Sequence, residues 1–296
     1  MQKASQLIEI VAVALVAATS AAPAHALATP VTGTTEFADA ARTSARPSIT
    51  VRVNDSRIAS PPRIPAGYVD IHIATSGKVH HHLAFWHLNP GVTLKRFTRA
   101  LNSPKGPFKL GTAIGGNGPM LAGRLDTTMH LLPGTVVVAD IVDGPTTRIA
   151  SFHVTRPAVS TQPPEAAGTI VNRSFRFVLP AGFGRQGVYR FTNSDPVAHD
   201  GVIYPLLKGK TAADLVRWLR GGGKGRPPVV FTRPLGGPGV IGAHWTSWFT
   251  LPRLAPGRYV LGCFLPDDRG VLHAAMGMVA GFEVRFGSAF LHTDTP

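Results

Sequence analysis

The chain has 296 residues, enough for two domains of ordinary size, and it combines 32 glycines and 26 prolines with only 16% charged residues. This composition is typical of a turn-rich β protein and argues against a helical one. The formal net charge of +14 either attracts an acidic cell-envelope surface or reflects arginines spread over the whole molecule. No dense Lys/Arg run interleaved with aromatic residues occurs, so we expect no nucleic-acid partner.

Residues 1–28 have the pattern of a secretory signal peptide. Lys3 gives a basic start, the apolar run LIEIVAVALVAATSAA follows, and AHA at 24–26 is a small-x-small cleavage site, with ALA at 26–28 as an alternative. The apolar run is short and is interrupted by Glu9, which argues against a permanent membrane span. We therefore expect an exported protein, secreted or in the cell envelope, without a transmembrane anchor after cleavage.

Two sequence units of similar pattern follow the signal. One contains HHLAFWHLNPGVTLKRFTRAL from His81, and the other contains HDGVIYPLLKGKTAADLVRWL from His199. Each segment runs from a histidine through a short apolar strand to a glycine and then a helix, which indicates an internal duplication. The predicted boundaries are a first unit at 46–156, a Pro- and Ala-rich linker at 157–167, a second unit at 168–287 and a tail at 288–296.

Within the units, apolar residues recur at every second position, as in strands with one buried face. Tyr259, Leu261 and Cys263 share one face of GRYVLGCF. One helix per unit breaks this period; TAADLVRWL opens with Thr211 and has Asp214 three residues on, a capping-box pattern. The sequence predicts an all-β protein made of two tandem Greek-key β-sandwiches, each with one inserted helix.

Cys263 is the only cysteine of the chain, so it cannot form an internal disulfide. From the residues alone it is a metal ligand, a reactive thiol, an intermolecular bridge or a small buried apolar side chain. His273 and Met278 follow it in CFLPDDRGVLHAAMGM, and His199 opens an earlier predicted strand. In a Greek-key sandwich, such strand ends and loops can meet at one pole.

The second unit resembles a cupredoxin. It has the pattern Gly-x-Tyr-x-x-x-Cys, a loop, a His and a Gly-Met pair as GRYVLGCFLPDDRGVLHAAMGM, and an upstream Asn193 followed six residues later by His199. The resemblance implies one type 1 copper, with His199, Cys263 and His273 as ligands and Met278 as the weak axial ligand. Copper would also account for an unpaired cysteine in an exported protein.

The second unit departs from the cupredoxin pattern at three points. Nine residues separate Cys263 from His273, a longer loop than in the small electron carriers. Met276 competes with Met278 as the axial ligand, and the His-x-x-x-Gly-Met pattern favours Met278. The family usually has Asn after the first histidine; here Asp200 adds negative charge near the site, and its carboxylate can accept a backbone N–H.

The first unit lacks the ligand set. Its His81 matches His199, but Asp140 aligns with Cys263, and no His-x-x-x-Gly-Met follows. The cluster at 80–82 brings at most two imidazoles to one face of a strand, which seldom suffices for a metal site. We therefore expect no type 1 copper in the first unit.

Three functions remain open. The favoured one is an exported electron carrier or copper-handling protein with an unidentified redox partner. A two-domain copper oxidase or reductase needs further ligands, and Gly262 and Phe264 beside Cys263 exclude a His-Cys-His relay. The third is a metal-free binding module at the cell surface, with Cys263 as a buried thiol. Fold alone does not choose among them, because function depends on the site.

Overall fold

A computed structural model describes residues 46–103, 106–142, 148–156 and 161–285. The predicted signal peptide, the first four linker residues and the tail lie outside the described residues. The first half contains β1 (Ser48–Val53), β2 (Ile58–Ala59), β3 (Arg63–Pro65), β4 (Gly67–Thr75), β5 (Leu83–Leu88), α1 (Leu94–Leu101), β6 (Gly111–Gly116), β7 (Gly123–Leu131), β8 (Gly134–Asp140) and β9 (Ile149–Thr155). The second half contains β10 (Gly168–Asn172), β11 (Phe177–Val178), β12 (Gly187–Asn193), β13 (His199–Pro205), α2 (Ala212–Arg220), β14 (Gly239–Ile241), β15 (Thr246–Leu251), β16 (Gly257–Gly262), α3 (His273–Met276) and β17 (Val279–Val284).

The strands form two sheets that pack face to face. One sheet has the order β11-β10-β12-β15-β7-β4-β1-β2, and the other β17-β16-β13-β14-β6-β5-β8-β9-β3. Alternation along the strands fills the space between the sheets; in β4, Val69, Ile71 and Ile73 are fully buried. The predicted all-β class and the double sandwich are confirmed.

Both sheets continue from one half into the other through pairs of corresponding strands. β7 pairs antiparallel with β15, where Met129 lies opposite Ser247, and β6 pairs with β14, where Ile114 lies opposite Ile241. Outward from these pairs, the corresponding strands of the two halves follow in mirrored order. An approximate two-fold axis therefore relates the halves, and the two predicted sandwiches share their sheets, which the sequence pattern does not predict.

Three short helices accompany the described strands, and none of them is long or apolar enough to cross a bilayer. The predicted capping box of α2 is present, because Thr211 and Asp214 each accept a hydrogen bond from the backbone N–H of the other. The prediction of one helix per unit is incomplete, since α3 adds one turn to the second half. Gly277 ends that turn with φ +112°, a left-handed conformation that glycine adopts without strain.

Candidate metal centre

The predicted ligands gather at one end of the second half. His199 is the first residue of β13, and Cys263 directly follows β16. These strands are antiparallel neighbours, with Val202 opposite Gly262, so the start of one meets the end of the other. The loop after Cys263 then leads into α3, whose first residue is His273.

Three ligand atoms lie within coordination range of one another. His199 Nδ1 is 3.2 Å from His273 Nδ1, and Cys263 Sγ is 3.4 Å from His273 Nδ1 and 3.9 Å from His199 Nδ1. All three side chains are buried. Within the described ranges, this is the one group of three or more His, Cys, Asp or Glu residues placed to hold a metal ion.

Met278 is joined to the same group through its backbone. Its N–H donates to the His273 carbonyl at 2.9 Å, and its own carbonyl accepts the Cys263 N–H at 3.1 Å. The Met278 side chain is fully buried in the apolar cluster that also contains Cys263, whereas Met276 on α3 is only half-buried. Burial beside the thiol favours Met278 over Met276 as the thioether of the site.

Asp195 orients His199. Its Oδ2 accepts the His199 Nε2–H at 2.9 Å, and its carboxylate also accepts the backbone N–H groups of Ser174 at 2.6 Å and Phe175 at 3.0 Å. A donated Nε2–H leaves the Nδ1 lone pair directed at Cys263 and His273, as in metal sites where a carboxylate fixes the histidine tautomer. Sequence reasoning missed Asp195, although its position four residues before His199 was the available signal.

Phe175 covers the two imidazoles. It lies in the turn between β10 and β11, where Ser174 and Phe175 have φ of 52° and 56°. Its ring packs edge-on against His199, with centroids 5.2 Å apart, and against His273, at 4.9 Å. No sequence pattern identifies this contact, because it depends on two consecutive left-handed residues.

Asp200 contacts the thiol through its backbone. The Asp200 N–H donates to Cys263 Sγ at 3.2 Å, while its carboxylate Oδ1 is buried without a hydrogen-bond partner among the described residues. The sequence allowed the Asp200 carboxylate to accept a backbone N–H, and its Oδ1 accepts none among the described residues. The side chain extends toward the first half instead.

Burial shifts the protonation equilibria of the group. It raises the pKa of the Cys263 thiol, and the neighbouring Asp200 carboxylate raises that pKa further. Burial, followed by the positive charge of His199, lowers the pKa of His273 to about 4. Burial also lowers the pKa of His199, although the hydrogen bond that His199 donates to Asp195 raises it. At neutral pH the imidazoles therefore keep free lone pairs, and a metal ion must displace the thiol proton.

The group offers a donor set of two imidazole nitrogens, one thiol sulfur and one buried thioether. A trigonal His₂Cys arrangement with a weak axial methionine is the ligand set of blue-copper electron-transfer sites. The arrangement of His199, Cys263, His273 and Met278 is consistent with one type 1 copper site.

The corresponding pole of the first half is built differently. Ala84 pairs with Ala139 as Val202 pairs with Gly262, so Asp140 stands where Cys263 does. Asp140 Oδ2 lies 2.8 Å from His81 Nδ1 and accepts a hydrogen bond from Arg148 Nε at 2.7 Å. An ion pair with arginine therefore satisfies this buried carboxylate.

No family model matches the sequence, and no curated protein matches it. Several solved structures resemble parts of it. A reduced auracyanin from the photosynthetic bacterium Roseiflexus castenholzii is 21% identical with a TM-score of 0.28, over 41% of this chain and 99% of that one. Auracyanin A, described as a "blue" copper protein from Chloroflexus aurantiacus, is 14% identical with a TM-score of 0.27, over 36% of this chain and 99% of that one.

A longer match is a multicopper oxidase from Pseudomonas thermotolerans, which is 11% identical with a TM-score of 0.23, over 83% of this chain and 69% of that one. All three TM-scores lie below 0.5, so these likenesses carry no part of the argument. The case for copper depends on the donor atoms and their surroundings.

Proposed function

We propose that this protein is exported, binds one copper ion in its second half and transfers one electron at a time or hands copper on. The proposed ligands are His199, Cys263, His273 and Met278. The observation that carries the proposal is the buried triangle of two Nδ1 atoms and one Sγ, with sides of 3.2, 3.4 and 3.9 Å. A bound copper supplies one-electron chemistry that none of these side chains provides by itself.

The chain's own residues hold this triangle in place. Asp195 fixes the ring of His199, and the Asp200 N–H stabilises negative charge on the Cys263 sulfur. Three ligands sit on β13, on α3 and at the end of β16, and Met278 lies between α3 and β17. These segments contribute residues to the buried apolar clusters of the second half. A rigid, buried set changes little when the metal charge changes, which favours rapid one-electron transfer.

We also propose an extracytoplasmic location and a redox partner. The signal-like segment at 1–28 supports export, and the net charge of +14 supports contact with an acidic envelope surface. An unidentified redox partner would exchange electrons at the end of the second half where Phe175 covers His273.

Copper loading of the chain from Thr29 onward tests the proposal. We expect one copper per chain and an intense visible absorption from thiolate-to-copper charge transfer. Three or more copper ions per chain would indicate an oxidase or reductase instead. A colourless, copper-free protein whose Cys263 is still reduced would contradict the proposal and favour a metal-free binding module.

A further inference from the structure

Two buried polar atoms face each other where the two halves meet. His82 Nε2 lies 3.5 Å from Asp200 Oδ1, and the two side chains are 8% and 4% exposed. Neither atom has a hydrogen-bond partner among the described residues. Burying either atom unpaired costs free energy, and the facing charge or dipole of the other reduces that cost.

His82 and Asp200 occupy corresponding positions in the two halves. Each directly follows the histidine with which the repeated segment begins. The His82 N–H donates to Asp140 Oδ1 at 3.0 Å, and the Asp200 N–H donates to Cys263 Sγ at 3.2 Å. The approximate two-fold axis thus brings the same position of both halves together. Within its own half, His82 is hydrogen-bonded to Asp140, and Asp200 is hydrogen-bonded to Cys263.

Asp200 acts on the thiolate in two opposing ways. Its N–H withdraws electron density from Cys263 Sγ, which favours the electron-rich, reduced metal site. Its carboxylate places negative charge nearby, which favours the more positive, oxidised site. A hydrogen on His82 Nε2 would face that carboxylate across an N···O distance of 3.5 Å and counter its charge without forming a hydrogen bond.

We propose that His82 is a positioning residue for the copper centre of the other half. Its imidazole holds the Asp200 side chain, keeps the Asp200 N–H directed at Cys263 Sγ, and so favours the reduced copper. This inference rests on the proposed function. It gives the first half a role in the chemistry of the second, although it contributes no ligand.

A redox titration of the copper-loaded chain from Thr29 onward tests this role. His82→Phe keeps a ring but removes the donor. We expect its Cu(II)/Cu(I) equilibrium to shift toward Cu(II) about tenfold, or about 59 mV for one electron, with one copper still bound. His82→Gln, which retains an N–H donor, should stay within about threefold of the wild type.

His87→Ala is the matched control, because His87 belongs to the neighbouring β5 and contacts the Pro133 carbonyl rather than Asp200. The Cu(II)/Cu(I) equilibrium of His87→Ala should change less than about twofold, since His87 shares no partner with the copper ligands.

An Asp200→Ala background keeps the backbone N–H but removes the carboxylate. In that background, His82→Phe should shift the Cu(II)/Cu(I) equilibrium by less than about twofold. An unchanged equilibrium in His82→Phe, or equal shifts in both backgrounds, would overturn the inference. If His82→Phe does not fold, His82→Ala replaces it with the same criteria.

A metal-free measurement separates this inference from the proposed function. The amide resonance of Asp200 reports its N–H···S hydrogen bond without copper. We expect His82→Phe to shift this resonance and His87→Ala to leave it in place. A wild type that binds no copper, together with a shifted resonance, defeats the proposed function but retains the positioning contact. An unshifted resonance defeats the positioning contact itself.

Discussion

The end of each half that carries Asp140 or Cys263, here called its pole, holds a different chemical group at the corresponding strand position. In the first half, Asp140 is paired with His81 and with Arg148, so a buried negative charge is met by a cation of the chain. In the second half, Cys263 occupies the Asp140 position, and His273 supplies a second imidazole. The same strand geometry thus supports an ion pair in the first half and a group of potential metal ligands in the second. A few side chains make the difference.

Exchanging the residue that distinguishes the poles gives the largest expected effect. Cys263→Asp removes the only thiolate, so we expect complete loss of the visible charge-transfer absorption in copper-loaded protein. Asp140→Asn, at the matching position, should leave that absorption unchanged. An absorption that survives Cys263→Asp would place the chromophore elsewhere and break the comparison.

Removing Arg148 tests whether its positive charge compensates the buried Asp140 carboxylate of the first half. Arg148→Ala leaves the Asp140 carboxylate buried with only His81 as a side-chain partner, and we expect a loss of about 2–4 kcal/mol in the free energy of unfolding. Urea denaturation measures this loss. The copper absorption should stay intact, and a loss below about 0.5 kcal/mol would show that Arg148 does not compensate Asp140.

The turns above the poles differ as well. The second half places Phe175 over its histidines, whereas the corresponding turn of the first half carries Asp55, whose Oδ1 lies 3.5 Å from His81 Nε2. Phe175→Ala should uncover the His273 ring and accelerate copper removal by a chelator about threefold or more, at a cost of about 1–2 kcal/mol in stability. Val178→Ala, an exposed neighbour, is the control. Equal removal rates in both variants would deny Phe175 a covering role.

The helix caps give the smallest contrast. Thr211 and Asp214 cap α2 reciprocally, whereas Thr93 caps α1 through a single bond from the Arg96 N–H. We expect Thr211→Ala to cost about 1 kcal/mol and Thr93→Ala about 0.5 kcal/mol in the free energy of unfolding. Urea denaturation of both variants checks the order, and a larger loss at Thr93 would contradict it.

The sequence predicted the parts of the site that are encoded in local patterns. The order His, Cys, His, Met on predicted strands and loops identified the group that the structure brings together. Phe175 was missed because its contacts with His199 and His273 join segments that no period relates. Asp195 was missed although it lies only four residues before His199. The α3 turn was missed because a single helical turn leaves no repeating apolar face.

The relation between the halves was only partly predictable. The repeated segments indicated a duplication, but nothing in them shows which strand edges meet. The pair of His82 and Asp200 depends on that junction, so it became visible only in the structure. The predicted signal segment and the redox partner remain predictions.

The strand pairing at the junction has a consequence for the halves as separate molecules. Cut at the linker, the first half would expose the open edges of β6 and β7, and the second half those of β14 and β15. Exposed edges are templates for association with any matching strand. Because the lost partner has the same topology, the most complementary surface available to either fragment is another copy of itself. In the intact polypeptide these edges pair with each other inside one molecule and are not available to a second copy.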